Sequence, residues 1–155
     1  GEVLALMKKH GTYYIPTRSA GMFVAEKAKQ KGYYPQIIVP KALEIGPRLL
    51  NTFTTAYKFG IKIAFGTDSG VSYHGDNAKE FFYMVKGGMS EMEAIPSATV
   101  IASEMLDIND KLGSIESGKL ADIIAVERNP IKDITFLQEV VFVMKEGKIY
   151  KSNID

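Results

Sequence analysis

The 155-residue chain predicts an α/β fold, with alternating strands and helices over residues 1–111 and a small all-β part over residues 112–155. Three observations carry this expectation. Two short strand patterns, Thr12–Ile15 and Ile61–Gly66, are each followed by helical periodicity. Apolar residues at Ala42, Ile45, Leu49, Phe53, Ala56 and Tyr57 recur at spacings of three and four, which is one face of a helix. After Asp110 the period turns extended and turn residues crowd the stretch Leu112–Gly118. The length is that of one ordinary domain, and 46% apolar residues are enough for a core without disulfides.

The elements follow in order. Val3–Met7 ends an apolar helix whose last turn carries Lys8, Lys9 and His10, with Gly11 at the position after the cap. The strand Thr12–Ile15 is stopped by Pro16. Ser19–Lys31 is a moderately amphipathic helix closed by Gly32, and Tyr33-Tyr34-Pro35 breaks the chain. The long helix around residues 42–57 contains Pro47, which either restarts it or kinks it, and Gly60 ends it.

In Ile61–Gly66, Ile61, Ile63 and Phe65 form a bulky face, and Lys62, Ala64 and Gly66 point the other way. The bulky face suits packing on helices, the small face a crowded interior such as the lumen of a barrel. Asp68 is in phase with the small face if the extended geometry continues. A polar loop over residues 67–75 leads to a helix with Ala78, Phe81, Phe82 and Val85 on one side, so the Phe81-Phe82-Tyr83 cluster is expected in the core. Ser90 and Glu93 form a capping-box pair opening a helix with Ile95, Ala98, Ala102 and Met105 on its face, although Pro96 removes one of its hydrogen bonds. Ala121–Val126 and Val140–Met144 are strands, and Glu146-Gly147 is a two-residue turn into Ile149-Tyr150.

Charge and composition exclude several functions. A net charge of +1 gives no basic excess for nucleic acid. No apolar run approaches a membrane span, and Val3–Met7 is too short for a secretory signal, so a cytoplasmic protein is expected. With no cysteine there is no disulfide, thiolate ligand or Cys nucleophile, and two histidines, His10 and His74, limit metal chemistry.

The chemistry concentrates in Ala64-Phe65-Gly66-Thr67-Asp68-Ser69-Gly70, where a strand runs into a carboxylate flanked by small residues. Ligands gather at the C-terminal ends of strands in α/β folds, and a carboxylate there can bind a metal or take a proton. The competing reading makes Asp68 a turn or cap residue. His74, six residues on, is either a substrate contact or a solvent-facing loop residue. Arg18, just after the first strand, suits a substrate carboxylate, with a surface salt bridge as its alternative. His10 reads as part of a helix-end charge cluster, and of Tyr13 and Tyr14 one should face inward.

Residues 61–70, Tyr73-His74-Gly75, Gly11–Thr17 and Leu112–Ile123 together resemble the metal-dependent amidohydrolase superfamily, in its imidazolonepropionase-like and Xaa-Pro or Xaa-Arg dipeptidase-like branch. The resemblance implies the C-terminal segment of a (β/α)8 barrel carrying about strands seven and eight, joined to C-terminal strands of a small β-sandwich over residues 112–155. A full barrel of this kind has roughly 250 residues, so the chain reads as part of a longer enzyme. The resemblance makes Asp68 the catalytic general base and a metal-contacting carboxylate, with His74 and Arg18 as substrate-binding residues. A divalent metal, zinc first, would take its other ligands from the N-terminal barrel portion, which is then a partner of these residues. The implied substrate is a dipeptide or cyclic amide, and the isolated segment would be inactive. A homo-oligomer is compatible with the sequence. A non-catalytic assembly module and a deaminase of the same superfamily are the alternatives.

Overall fold

The computed structural model describes residues 1–153 and shows six α-helices, a short 3-10 helix and one three-stranded antiparallel sheet among them. The chain is α/β in the expected order. Helix α1 (Glu2–Lys9) ends on His10, and Gly11 follows with φ 63°. Its Lys8 ammonium donates to the Phe59 carbonyl at 3.0 Å, tying α1 to the end of the long helix.

The two strands expected at residues 12–15 and 61–66 meet as a parallel pair. Tyr14 N–H donates to Lys62 O at 2.8 Å and Ala64 N–H to Tyr14 O at 3.1 Å, with Tyr14 opposite Ile63. Ladder pairing is confined to that bridge, so the extended runs are shorter than the sequence predicts. The parity is as expected: Ile61 and Ile63 are buried and Lys62 is exposed. On the small face Ala64 is buried, and a Cβ on Gly66 would overlap Ile15 Cγ2, so the close approach of the two segments requires glycine there. The inward tyrosine is Tyr14, which packs against the core; Tyr13 reaches out to Glu104.

Helix α2 (Arg18–Ala28) stops short of the predicted Lys31, because the chain already turns through residues 29–34. Helix α3 (Val39–Phe59) runs unbroken through Pro47 and neither restarts nor ends there. It packs on α2 at Gly46, where a Cβ would stand 3.1 Å from both Ala25 Cβ and Met22 Sδ. The core gathers Phe53, Ile63, Met84, Met89, Ala94, Ile134 and Leu137. Fully burying groups of this size is worth roughly 1.5–3 kcal/mol each, so this cluster holds the helices against the parallel pair.

Helix α4 (Lys79–Lys86) departs from its predicted face. Phe82 is 41% exposed, while Glu80 and Met84 are fully buried. The cause is a polar contact that apolar periodicity ignores: the Glu80 carboxylate turns inward to accept backbone N–H groups from α2. The predicted helix after Ser90 is two helices, α5 (Glu91–Ser97) and α6 (Val100–Met105). Pro96 supplies no N–H, and Thr99 leaves helical geometry at φ −123°, ψ −90°. The capping box forms as expected, with Ser90 N–H donating to Glu93 Oε2 at 3.0 Å.

The C-terminal part folds as β1 (Ile123–Val126), β2 (Val140–Lys145) and β3 (Lys148–Ser152), paired in that order. Glu146 and Gly147 take φ of 50° and 78°, the positive values that a tight two-residue hairpin turn needs. The unpredicted 3-10 helix Ile134–Gln138 opens on Asp133, whose carboxylate accepts Thr135 N–H at 2.9 Å, and it buries Ile134 and Leu137 in the core. No helix among the described residues is long and apolar enough to cross a membrane.

Candidate active site

Each member of the parallel pair ends on a residue with left-handed backbone. Thr17 has φ 42° and Asp68 φ 51°. For a β-branched threonine that geometry is uncommon, and aspartate tolerates it better. The extended run therefore stops at Thr67, and strand parity no longer sets the direction of Asp68. The Asp68 side chain is exposed, on a loop that continues through exposed Tyr73 and His74.

The loop is held through its neighbours. Thr67 is buried, its hydroxyl lies 2.9 Å from Ser69 Oγ, and Asn77 Nδ2 donates to it at 3.3 Å. Ser19 Oγ donates to the Thr67 carbonyl at 3.2 Å. Asn77 also accepts Gly75 N–H at 3.1 Å, and Val71 N–H donates to Asp68 O at 3.2 Å. Asp68 is thus fixed by its backbone, leaving its carboxylate clear. Sequence reasoning missed Asn77 and Ser19; the only local signal was the density of polar residues in the loop.

Arg18 is placed differently from the expectation. It is 1% exposed, with its guanidinium 4.9 Å from the Phe53 ring and 5.9 Å from that of Tyr83. Burial lowers its pKa, and nearby Glu80 opposes that shift. Nε, Nη1 and Nη2 have no hydrogen-bond partner among the described residues. The alternative of a surface salt bridge fails, since the group is not at the surface. Within this chain the guanidinium is enclosed in the helical layer by Phe53 and Tyr83.

Glu80 lies beside it, also fully buried. Its Oε1 accepts Arg18 N–H at 2.9 Å and its Oε2 accepts Ser19 N–H at 2.6 Å, which satisfies the first two donors of α2. Burial pushes the Glu80 carboxyl above the usual glutamate range, against the Ser19 and Arg18 backbone donors, the Ser19 hydroxyl and the Arg18 charge. His10 caps α1 on an exposed surface, as its charge-cluster reading expects.

No three His, Asp or Glu side chains gather into a metal cage among the described residues. Structural and catalytic zinc sites take three or four protein ligands. Asp68 therefore belongs to no three-ligand cage among the described residues, which do not hold such a metal by themselves. An apolar groove of about 780 Å³ between α6 and the sheet, lined by Phe81, Ala102, Leu112, Ile123 and Val140, reaches Asn77 but not Asp68 or His74.

A family model described as the amidohydrolase family matches residues 1–150, and the chain belongs to that family. Amidohydrolases are generally metal-dependent. Ochratoxinase of Aspergillus niger is 36% identical over 97% of this chain, which covers 32% of that protein. A solved Xaa-Pro dipeptidase with methionine bound in its active site is 56% identical, with a TM-score of 0.93 over 97% of this chain and 37% of its own. A 5-methylthioadenosine/S-adenosylhomocysteine deaminase of Teredinibacter turnerae is 32% identical over 46% of this chain. The chain thus spans about a third of the length of the first two relatives.

Proposed function

We propose that the full-length protein containing this chain is a metal-dependent hydrolase of C–N bonds outside ordinary internal peptide bonds, with dipeptides of the Xaa-Pro kind as first substrate class and cyclic amides second. The observation that carries the reading is Asp68: an exposed carboxylate directly after the second of two parallel segments, on a loop held by Thr67, Ser69 and Asn77. The 56% identity to a Xaa-Pro dipeptidase supports the substrate class.

In this reading residues 1–111 are the closing part of a (β/α)8 barrel and residues 112–155 contribute strands to a small β-sandwich. A divalent metal, zinc on the family resemblance, would supply Lewis acidity and an acidified water if held by Asp68 together with ligands from the rest of the protein. Asp68 would offer one oxygen to that metal, and its carboxylate takes a proton from the attacking water and passes it to the leaving nitrogen as the C–N bond breaks. His74, exposed on the same loop six residues on, is the proposed substrate contact.

The test uses the full-length protein, metal-free and zinc-loaded, on a panel of Xaa-Pro dipeptides and cyclic amides. Metal-dependent release of free proline supports the reading. Release of ammonia from a nucleoside substrate, with the panel untouched, would overturn it in favour of deamination.

A further inference from the structure

We infer that Glu80 and Ser19 are positioning residues for Asp68, so that α4 sets the base through the start of α2; this rests on the reading of Asp68 given above. The path is continuous in hydrogen bonds. Glu80 takes Arg18 N–H and Ser19 N–H at 2.9 and 2.6 Å, which fixes the first turn of α2. Ser19 Oγ, carried by that turn, donates to the Thr67 carbonyl at 3.2 Å. That carbonyl belongs to the peptide unit joining Thr67 to Asp68, so its orientation bears on where the Asp68 Cα stands.

Asp68 needs such a support. Its backbone is left-handed and its side chain exposed, and no hydrogen bond to its carboxylate orients it among the described residues. Everything that places the group acts through Thr67 and the loop after it.

Glu80 is a costly residue at its position. A carboxylate with no exposed surface loses its hydration, and an apolar side chain of similar size would avoid that penalty. An apolar side chain could not accept two backbone N–H groups. Thr17 offers no cap of its own: its backbone is left-handed and its hydroxyl makes no capping bond. Glu80 therefore replaces a local N-cap with a contact that also locks α4 to the segment beside Asp68. A displacement of about 1 Å at a reacting group can cost on the order of 100-fold in rate, which is the scale of effect such a support controls.

The test compares Ser19→Ala, Ser19→Thr and Glu80→Gln with wild type in the full-length enzyme. Ser19→Ala keeps both backbone donors to Glu80 and removes only the hydroxyl. Its kcat is expected to fall about tenfold with KM changed less than about twofold, because the base is misplaced while substrate contacts remain. Ser19→Thr restores the hydroxyl and the rate. Glu80→Gln presents an amide N–H₂ where one backbone N–H had an acceptor, and its kcat is expected to fall further; if that variant fails to fold, the Ser19 pair decides. A wild-type kcat in Ser19→Ala, or a loss that Ser19→Thr does not restore, overturns the inference. Asp68→Asn separates the two claims: a near-normal rate in that variant removes the base and this inference together. An inactive Asp68→Asn beside an unaffected Ser19→Ala removes the inference alone.

Discussion

The Asp68 region and the C-terminal sheet are stabilised in opposite ways. Around Asp68, two charged residues, Arg18 and Glu80, are buried in one layer, and hydrogen bonds join residues 48 to 62 positions apart. In the sheet, β2 and β3 pair across a two-residue turn, and every residue of β3 is exposed. The first region bears desolvation and backbone strain that core packing must offset. The second relies on local pattern and carries no buried charge in its strands. Changes in the first should therefore alter turnover and stability together, and changes in the second stability alone.

The largest expected effect on stability is in the layer beneath the site. Phe53 is fully buried and lies under the Arg18 guanidinium. Phe53→Ala should destabilise the full-length protein by about 3–5 kcal/mol in chemical denaturation and lower turnover as well. A loss below 1 kcal/mol would mean that the buried charges do not depend on this ring.

A smaller effect of opposite sign is expected at the hairpin. Glu146 holds φ 50°, where asparagine is favoured over glutamate, and its backbone N–H donates to Asp122 Oδ1 at 2.7 Å whatever the side chain. Glu146→Asn should stabilise by about 0.5–1 kcal/mol and leave kcat unchanged. A change in turnover would break the separation between the two regions.

The smallest effect concerns pH. The Ser90 hydroxyl, then Tyr57 and Ser90 N–H, hold the exposed Glu93 carboxyl below its ordinary value of 4.5. A carboxyl with a depressed pKa binds fewer protons in the folded state. It therefore adds stability above pH 4.5, and that stability is lost as the pH falls through its folded value. Because Glu93 is solvent-screened, Glu93→Gln should cost about 0.5 kcal/mol or less at pH 7, and the difference should vanish in melts at acid pH. Glu80 has the opposite sign. Its raised pKa favours the protonated form in the fold, so its ionisation costs stability as pH rises above the usual glutamate range.

The same contrast explains what the sequence could show. The Glu146-Gly147 turn, the Ser90–Glu93 box and the strand parity of residues 61–66 depend on neighbours within a few positions, and each forms as patterned. The inward turn of Glu80 and the exposure of Phe82 depend on α2 donors some 60 residues away, which no periodicity records. The enclosure of Arg18 is likewise set by distant residues. A guanidinium after a strand end looks available to substrate until Phe53 and Tyr83 are folded over it. Asp68 stands out in the sequence because its flanking glycines and small residues lie in the same short segment, whereas the residues that hold its loop, Ser19 and Asn77, come from outside that segment. The family signature was legible as motif, and the match over residues 1–150 agrees with it.

The central claim is that Asp68 does the proton transfer, and one variant addresses it directly. Asp68→Asn keeps the shape of the side chain and removes its basicity. With Xaa-Pro dipeptide as substrate and metal content verified in both proteins, kcat of the full-length variant should fall by about 10²–10⁴-fold. A kcat within a few-fold of wild type would contradict the account.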